Sequence, residues 1–317
     1  MKERYVVVIG GTNCDIGGFS SAEILMGDSN PGSVEMCAGG VGHNIAMNLA
    51  SMGVPVKMIT ALGDDSFGEL LQDEMKDKLD LSYSIIQSNS RSGIYLFISD
   101  DHGEMRLAVN DMSILEGISS DYIERNIEIL NQAEFVIIEA NIPVQTIDTI
   151  VRLCTRPIIA DAVSCKKVCK LNGALSKLKI LKPNMDELEV LSDITITDYS
   201  SFRCACDRMF EKGVSSMIVS LGKKGAVFCS PDRMFHCPVL PGVDIVNTTG
   251  AGDSLMAGFG YGLFLGEDVQ TSARYAVAAA QICTMSSSTV SENMSGDLVI
   301  SIAEEIVIDE ELSGLFK

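Results

Sequence analysis

The chain reads as an α/β protein, a three-layer sandwich around a mostly parallel central sheet, with a small inserted antiparallel β lid. Two observations predict this. Short, β-branched apolar runs alternate with amphipathic helical segments, and such alternation implies right-handed crossovers and a sheet covered on both faces. Residues 14–38 and 92–111 break the alternation, with Gly, Ser and alternating apolar positions but no good helix. The expected division is a core of residues 1–13, 39–91 and 112–317 and a lid of residues 14–38 and 92–111. The alternative is that those segments are edge strands of the main sheet.

The expected strands are Tyr5–Ile9, Val56–Ala61, Phe135–Glu139, Ile158–Asp161, Lys179–Leu181, Met217–Leu221 and Ala226–Cys229. Helical patterns cover Val41–Met52, Phe67–Leu79, Tyr122–Leu130, Ile147–Leu153 and Phe202–Phe210, then Gly252–Leu265, Val269–Met285 and Leu298–Ile306. Gly93 to Asn110 reads as a hairpin turning at Asp100–Gly103.

Composition narrows the partners. At 317 residues, 46% apolar and 21% charged, the chain is an ordinary globule. Its net charge of −19 argues against nucleic acid or an anionic membrane, either of which needs a basic face. Ten cysteines form no CxxC pair and the three histidines are scattered, so buried thiols in a reducing cytoplasm are expected, not zinc or disulfides. No run reaches the roughly 18 apolar residues of a membrane span.

The strongest chemical signal is Asn247-Thr248-Thr249-Gly250-Ala251-Gly252-Asp253, followed at once by the apolar stripe Leu255, Met256, Phe259 and Leu263. A Gly-rich loop entering a helix directs backbone N–H groups and a positive dipole end at an anion. Asp253 is a carboxylate in that anion site. A base beside a phosphate cradle suggests phosphoryl transfer to a hydroxyl, although a capped helix with Asp253 complementing the dipole has the same pattern.

Weaker signals precede it. Asn13-Cys14-Asp15 follows the first strand, where open α/β sheets bind ligands, and could bind paired hydroxyls or form an Asx turn. Ala38-Gly39-Gly40-Val41-Gly42-His43-Asn44 opens a helix and permits close backbone approach. Asn184 and Glu187 share a helix face and suit a hydrated magnesium ion, or cap a helix. Ser220-Leu221-Gly222-Lys223-Lys224-Gly225 is a strand-end turn with two cations, able to hold outer phosphates or to stand solvated.

Taken in order, these segments resemble the ribokinase-like, or PfkB, family of carbohydrate and nucleoside kinases over essentially the whole chain. The joint match of Gly39-Gly40-x-Gly42-x-Asn44 with Thr248 to Asp253 is the most specific part. Asp28-Ser29-Asn30-Pro31-Gly32, Gly39 to Ala46 and Val109 to Ile114 are most similar to the family's pseudouridine kinases. The resemblance implies ATP and magnesium, with phosphate transferred to the 5′-hydroxyl of pseudouridine. It implies Asp253 as base and the Gly250, Ala251 and Gly252 amides as an anion cradle. Asn13, Asp15, Gly39, Gly40 and Asn44 would hold the ribose, and Asn110, Asp111 and Asn141 would read the base. Asn184, Ser220, Gly222, Gly225, Thr248, Ala280 and Cys283 would serve the nucleotide, with Asn184 and Glu187 holding magnesium through water. It also implies a homodimer through the lid strands. Two residues depart from the pattern. His43 stands where Arg or Lys is expected. Asn247 replaces an Asp that helps hold a monovalent cation, which leaves that cation open. Another sugar or nucleoside kinase of the family, or a ligand sensor without catalysis, are the competing readings.

Overall fold

Valine and isoleucine runs too short for helices pair into the centre of the molecule. The computed structural model describes residues 4–312 and 314–316; residues 1–3, 313 and 317, at the limits of the expected core, lie outside these. In chain order the strands and helices are β1 (Val6–Ile9), β2 (Asn13–Ser20), β3 (Gly32–Gly39), α1 (Val41–Ser51), β4 (Val56–Ile59), β5 (Ala61–Gly63), α2 (Ser66–Met75) and β6 (Ile85–Gln87). Then come β7 (Gly93–Ser99), β8 (Met105–Asp111), α3 (Ser120–Gln132), β9 (Val136–Glu139), α4 (Val144–Leu153), β10 (Ile158–Asp161), β11 (Leu178–Lys182) and α5 (Met185–Ser192). The chain continues through α6 (Tyr199–Glu211), β12 (Met217–Ser220), β13 (Ala226–Cys229), β14 (Met234–Cys237), α7 (Ala251–Leu265), α8 (Val269–Thr284) and α9 (Gly296–Glu305).

An eight-stranded sheet runs β14-β13-β12-β11-β10-β9-β1-β4. All its pairings are parallel except β12–β13 and β13–β14. Strand alternation splits β1 between two cores: Val6 and Val8 pack on one face with α1, α7 and α8, and Val7 and Ile9 pack on the other with α3, α4 and α6. Among the described residues no helix is long and apolar enough to cross a membrane.

The lid is a separate four-stranded sheet, β3-β2-β7-β8. It is mixed and not wholly antiparallel: β2 pairs with β7 in parallel, because the hairpin β7–β8 arrives from a later crossover. The expected strand Val56–Ala61 divides at Thr60. Its first part stays in the main sheet and Ala61–Gly63 pairs with β6. The short strand β6 and the edge strand β14 are additions to the expected strands, and α5 follows the helix start expected at Asn184–Glu187.

Candidate functional site

Glycine brings two loops together. Gly40 caps α1 at φ 102°, and a Cβ there would stand 2.5 Å from the Gly11 carbonyl oxygen. Gly250 caps α7 at φ 82°, where a Cβ would stand 2.5 Å from the Thr289 carbonyl oxygen. Only glycine adopts such backbone without strain at this closeness. With both loops seated, Asn44 Nδ2 donates to Asp253 Oδ2 at 2.8 Å. This hydrogen bond joins two clusters.

On one side lies a cavity of about 580 Å³. Asn184, Glu187, Ser220, Gly222, Gly225, Thr248, Ala251, Gly252, Asp253 and Ala280 all line it. Its apolar wall includes Val239, Val243, Ile245 and Leu255, and from α8 the residues Val277, Ala280, Gln281 and Thr284. Those four recur at helical spacing, so α8 turns one face inward. Cys283 is not on that face, contrary to expectation. It is buried, and its thiol points at the carbonyl oxygens of Thr249 and Thr289 at 3.6 and 3.3 Å. It braces the anion loop from behind. Gly250 shapes the loop from the helix cap and does not line the cavity. Lys223 reaches the cavity, whereas Lys224 Nζ donates to the Leu315 carbonyl.

On the other side Asn13 Nδ2 donates to Asp15 Oδ1 at 2.5 Å, and burial raises the Asp15 pKa. The Asp15 carboxylate occupies space that exists because Gly39 has no Cβ. The lid register then sorts the residues expected to read the base. Asn110, Tyr95, Asp15 and Cys37 form one cross-strand row, and Asp111, Ile94, Cys14 and Ala38 the next. Adjacent rows face opposite sides of a sheet. Asn110 therefore shares the Asp15 side, but Asp111 does not: its carboxylate accepts from Ser113 N and Oγ at 3.0 and 2.7 Å. Asn141 is also committed elsewhere. Its Nδ2 donates to Glu139 Oε2 and its Oδ1 accepts from Lys167.

Sequence reasoning missed the floor of the site. Glu139, Asp161 and Lys182 are in register at the C-terminal ends of β9, β10 and β11. Lys182 Nζ stands 3.0 Å from Asp161 Oδ2, both side chains being buried. Burial opposes the Lys182 charge, but Asp161 beside it wins and holds its pKa above the ordinary value. Glu139 accepts from Gly11 N at 2.6 Å, and burial with the Asp161 charge pushes its pKa to about 7. Asp253 is likewise pushed up to about 7, by burial first and Asp161 second, against the opposing pull of Asn44 and Lys182. The available signal was a charged residue ending three successive buried strands, at the sheet edge where ligands bind.

Asn184 and Glu187 form a capping box: Asn184 Oδ1 accepts from Glu187 N and Glu187 Oε2 accepts from Asn184 N, each at 2.8 Å. Each carboxylate or amide has further oxygen valence, and Asp161 Oδ2, although ion-paired, accepts no aligned hydrogen bond. Hard oxygen donors so placed fit a hydrated magnesium ion that keeps most of its waters. Among the described residues no three His, Cys, Asp or Glu form a complete metal cage. Asn247 spends its side chain on Thr249 N and the Ser287 carbonyl, at 2.9 and 3.1 Å.

A glycine-rich helix start suited to an anion, a carboxyl group with its pKa pushed up to about 7 and a cluster of hydrogen-bonding side chains thus meet at one hydrogen bond. The PfkB carbohydrate kinase model matches residues 3–295. The chain belongs to the PfkB family. It is a sugar or nucleoside kinase of that family, a phosphotransferase with an alcohol acceptor. Among similar PfkB proteins is the pseudouridine kinase of Escherichia coli strain K12, 30% identical over 96% of this chain and 98% of its own. The structure of a carbohydrate kinase from Agrobacterium tumefaciens is 26% identical with a TM-score of 0.82, covering 97% of this chain and 99% of that one. A ribokinase from Arabidopsis thaliana, complexed with ribose and ATP, superposes with a TM-score of 0.84 over 95% of this chain and 99% of that one. At 22% identity it shows the fold alone.

Proposed function

We propose that this PfkB kinase transfers the γ-phosphoryl group of ATP to the 5′-hydroxyl of pseudouridine. The observation that carries the reading is the Asn44–Asp253 hydrogen bond, which sets a carboxylate between a hydroxyl-binding cluster and an anion-binding helix start. Asp253 Oδ1 or Oδ2 takes the hydroxyl proton as the oxygen attacks the γ-phosphorus, the bond from that phosphorus to the β-phosphate oxygen breaks, and ADP leaves. A base whose pKa is about 7 is half ionised near neutrality and still strong enough to accept a proton. The Gly252 amide, with Gly250 turning the loop and the Ala251 N–H shared with the Thr248 carbonyl at 3.3 Å, would face the charge that spreads over the phosphoryl oxygens. Lys182, 3.2 Å from where a Gly252 side chain would begin, adds a fixed cation beneath them.

Magnesium, held through water by Asn184 and Glu187, would neutralise the phosphates. Ser220, Gly222, Gly225 and Thr248 would border the phosphates and ribose of ATP, and Ala280 the adenine. Asn13, Asp15, Gly39, Gly40 and Asn44 would hold the acceptor ribose, with the lid excluding water. Asn110 becomes the base reader. Pseudouridine is C-linked and has a ring N–H that uridine lacks, which an amide carbonyl can accept. Asn110 is exposed in the open site; once a bound base covers it, an acceptor left unpaired would cost about 1–3 kcal/mol, or roughly ten- to a hundredfold in preference. We also propose a homodimer through the lid. Free cysteines and ATP consumption suit a cytoplasmic setting.

A coupled kinase assay on a nucleoside and sugar panel tests this. Pseudouridine should give the highest kcat/KM, above uridine. A clear win for ribose, adenosine or a hexose would overturn the substrate and leave the kinase. Nucleoside-dependent thermal stabilisation with no ADP formed from any acceptor would indicate a sensor.

A further inference from the structure

His43 is the unexplained residue of the Gly39–Asn44 segment. It is 1% exposed, on the first turn of α1, with its backbone N–H on the Gly11 carbonyl. Its Nδ1 lies 3.0 Å from Asn44 Oδ1. Its Nε2 is buried without a hydrogen-bond partner and faces Glu74 Oε1 of α2 at 3.6 Å, an ion-pair distance. The Asp15 carboxylate of β2 also interacts with it electrostatically. Cys37 of β3 lies beyond, beside Asp15 and Glu74.

The Asn44 amide has two possible orientations. One offers Nδ2 to the Asp253 carboxylate and Oδ1 to His43; the other presents an oxygen to a carboxylate. An ionised Asp253 already favours the first, and a donor at the Oδ1 end holds it when Asp253 is protonated and could itself donate. Thr289 Oγ1 is a weak one at 3.4 Å. His43 is the close one, provided that Nδ1 carries the hydrogen.

We propose that His43 is a positioning residue for the base: its Nδ1–H locks the Asn44 amide so that Nδ2 stays on Asp253, and a hydrogen on Nε2 as well lets Glu74 hold the ring from its far side. The relay Glu74–His43–Asn44–Asp253 runs from a half-exposed carboxylate on α2 to the reacting centre. It accounts for a buried imidazole set between an amide oxygen and a carboxylate. Glu74 has a pKa below its ordinary value, chiefly through His43, in keeping with a ring held close to it. The role of Asp253 as base rests on the proposed function; the state of the imidazole does not.

Two measurements test it. The ¹⁵N spectrum of the imidazoles in the full-length protein, with His43 assigned by its loss in a variant, should show Nδ1 protonated. A bare Nδ1 with the hydrogen on Nε2 would overturn the proposal whatever the protein phosphorylates, and without any variant having to fold. The second compares substitutions, using the best acceptor found. His43→Leu removes the donor, His43→Gln places an amide near the old Nε2, and His43→Asn places one near the old Nδ1. The Leu and Gln variants should lose roughly tenfold in kcat, as expected for one positioning hydrogen bond, with KM for ATP unchanged. The acidic limb of kcat should move to higher pH, because Asp253 loses a donor that favours its charged form. His43→Asn should recover both. Normal kcat and an unmoved limb in His43→Leu, or an Asn variant as impaired as Leu, would overturn the relay. Absence of phosphotransfer to every acceptor would instead remove the proposed function and leave the spectrum to decide.

Discussion

Asp253 is tuned at a cost in stability. Its carboxyl titrates at about 7 in the folded chain and near 3.9 when unfolded. Between those values the folded chain holds a proton that the unfolded chain has released. Stability therefore falls as pH rises from about 4 to about 7 and levels off above. Activity runs the other way, since the base must be ionised: kcat/KM should climb through pH of about 7. Asp253→Asn separates the two effects. It should lower kcat by on the order of 10²–10⁴, yet raise Tm at pH 8 by about 1–3 °C, a gain that shrinks toward pH 4. Near-normal turnover, or a Tm loss at pH 8, would contradict the assignment. The carboxylate itself was legible in sequence because a Gly-rich helix start announces an anion site. Its neighbours were not: Glu139, Asp161 and Lys182 end apolar strands singly, and only the sheet register brings them side by side.

At the scale of elements, the position of Asp253 depends on how closely α7 approaches α8. A Cβ on Gly258 would stand 2.4 Å from the Tyr275 carbonyl oxygen and 2.8 Å from Ala276 Cα. On Gly260 it would meet nothing closer than Leu49 Cδ2 at 3.3 Å, the end of a flexible side chain. Both glycines weaken the helix by roughly 0.5–1 kcal/mol relative to alanine, but only the first is required by space. Gly258→Ala should destabilise by about 1–3 kcal/mol through overpacking, whereas Gly260→Ala should be neutral or stabilising; denaturant melts compare them. Equal effects would show that the helices can separate freely. The helices α7 and α8 follow from two apolar helical runs in the sequence, but their pairing does not. The inward face of α8 was not resolved in advance, because its small residues cover most of the helix and give no clear stripe. Cys283 was assigned to the wrong face for that reason. Asp111 failed similarly: strand alternation was evident, but nothing in the sequence says which parity turns toward the ligand.

The whole molecule has one feature that a single chain leaves unsatisfied. Ile94, Leu96 and Ile98 alternate on β7, and the lid register aligns Met36, Ile16, Leu96 and Val109 in one row and Val34, Gly18, Ile98 and Leu107 in another. Val34, Met36, Val109 and Leu107 are each half or more exposed. These rows share the face opposite Asp15 and Asn110, so the apolar surface does not line the proposed acceptor site. A contiguous apolar sheet face of this kind marks an interaction surface. A second copy of the lid offers the same surface, and a twofold interface is self-complementary by construction. The net charge of −19 opposes association in general, so apolar burial must outweigh repulsion; the dimer should strengthen as salt screens that charge. Sedimentation at micromolar concentration should show a dimer in the wild type and a monomer in Leu96→Glu/Leu107→Glu. The variant should keep its affinity for ATP, bound in the core, while KM for the acceptor rises because the unsupported lid closes less well. A wild type that sediments only as a monomer would leave the apolar face unexplained and remove the second copy as its cover.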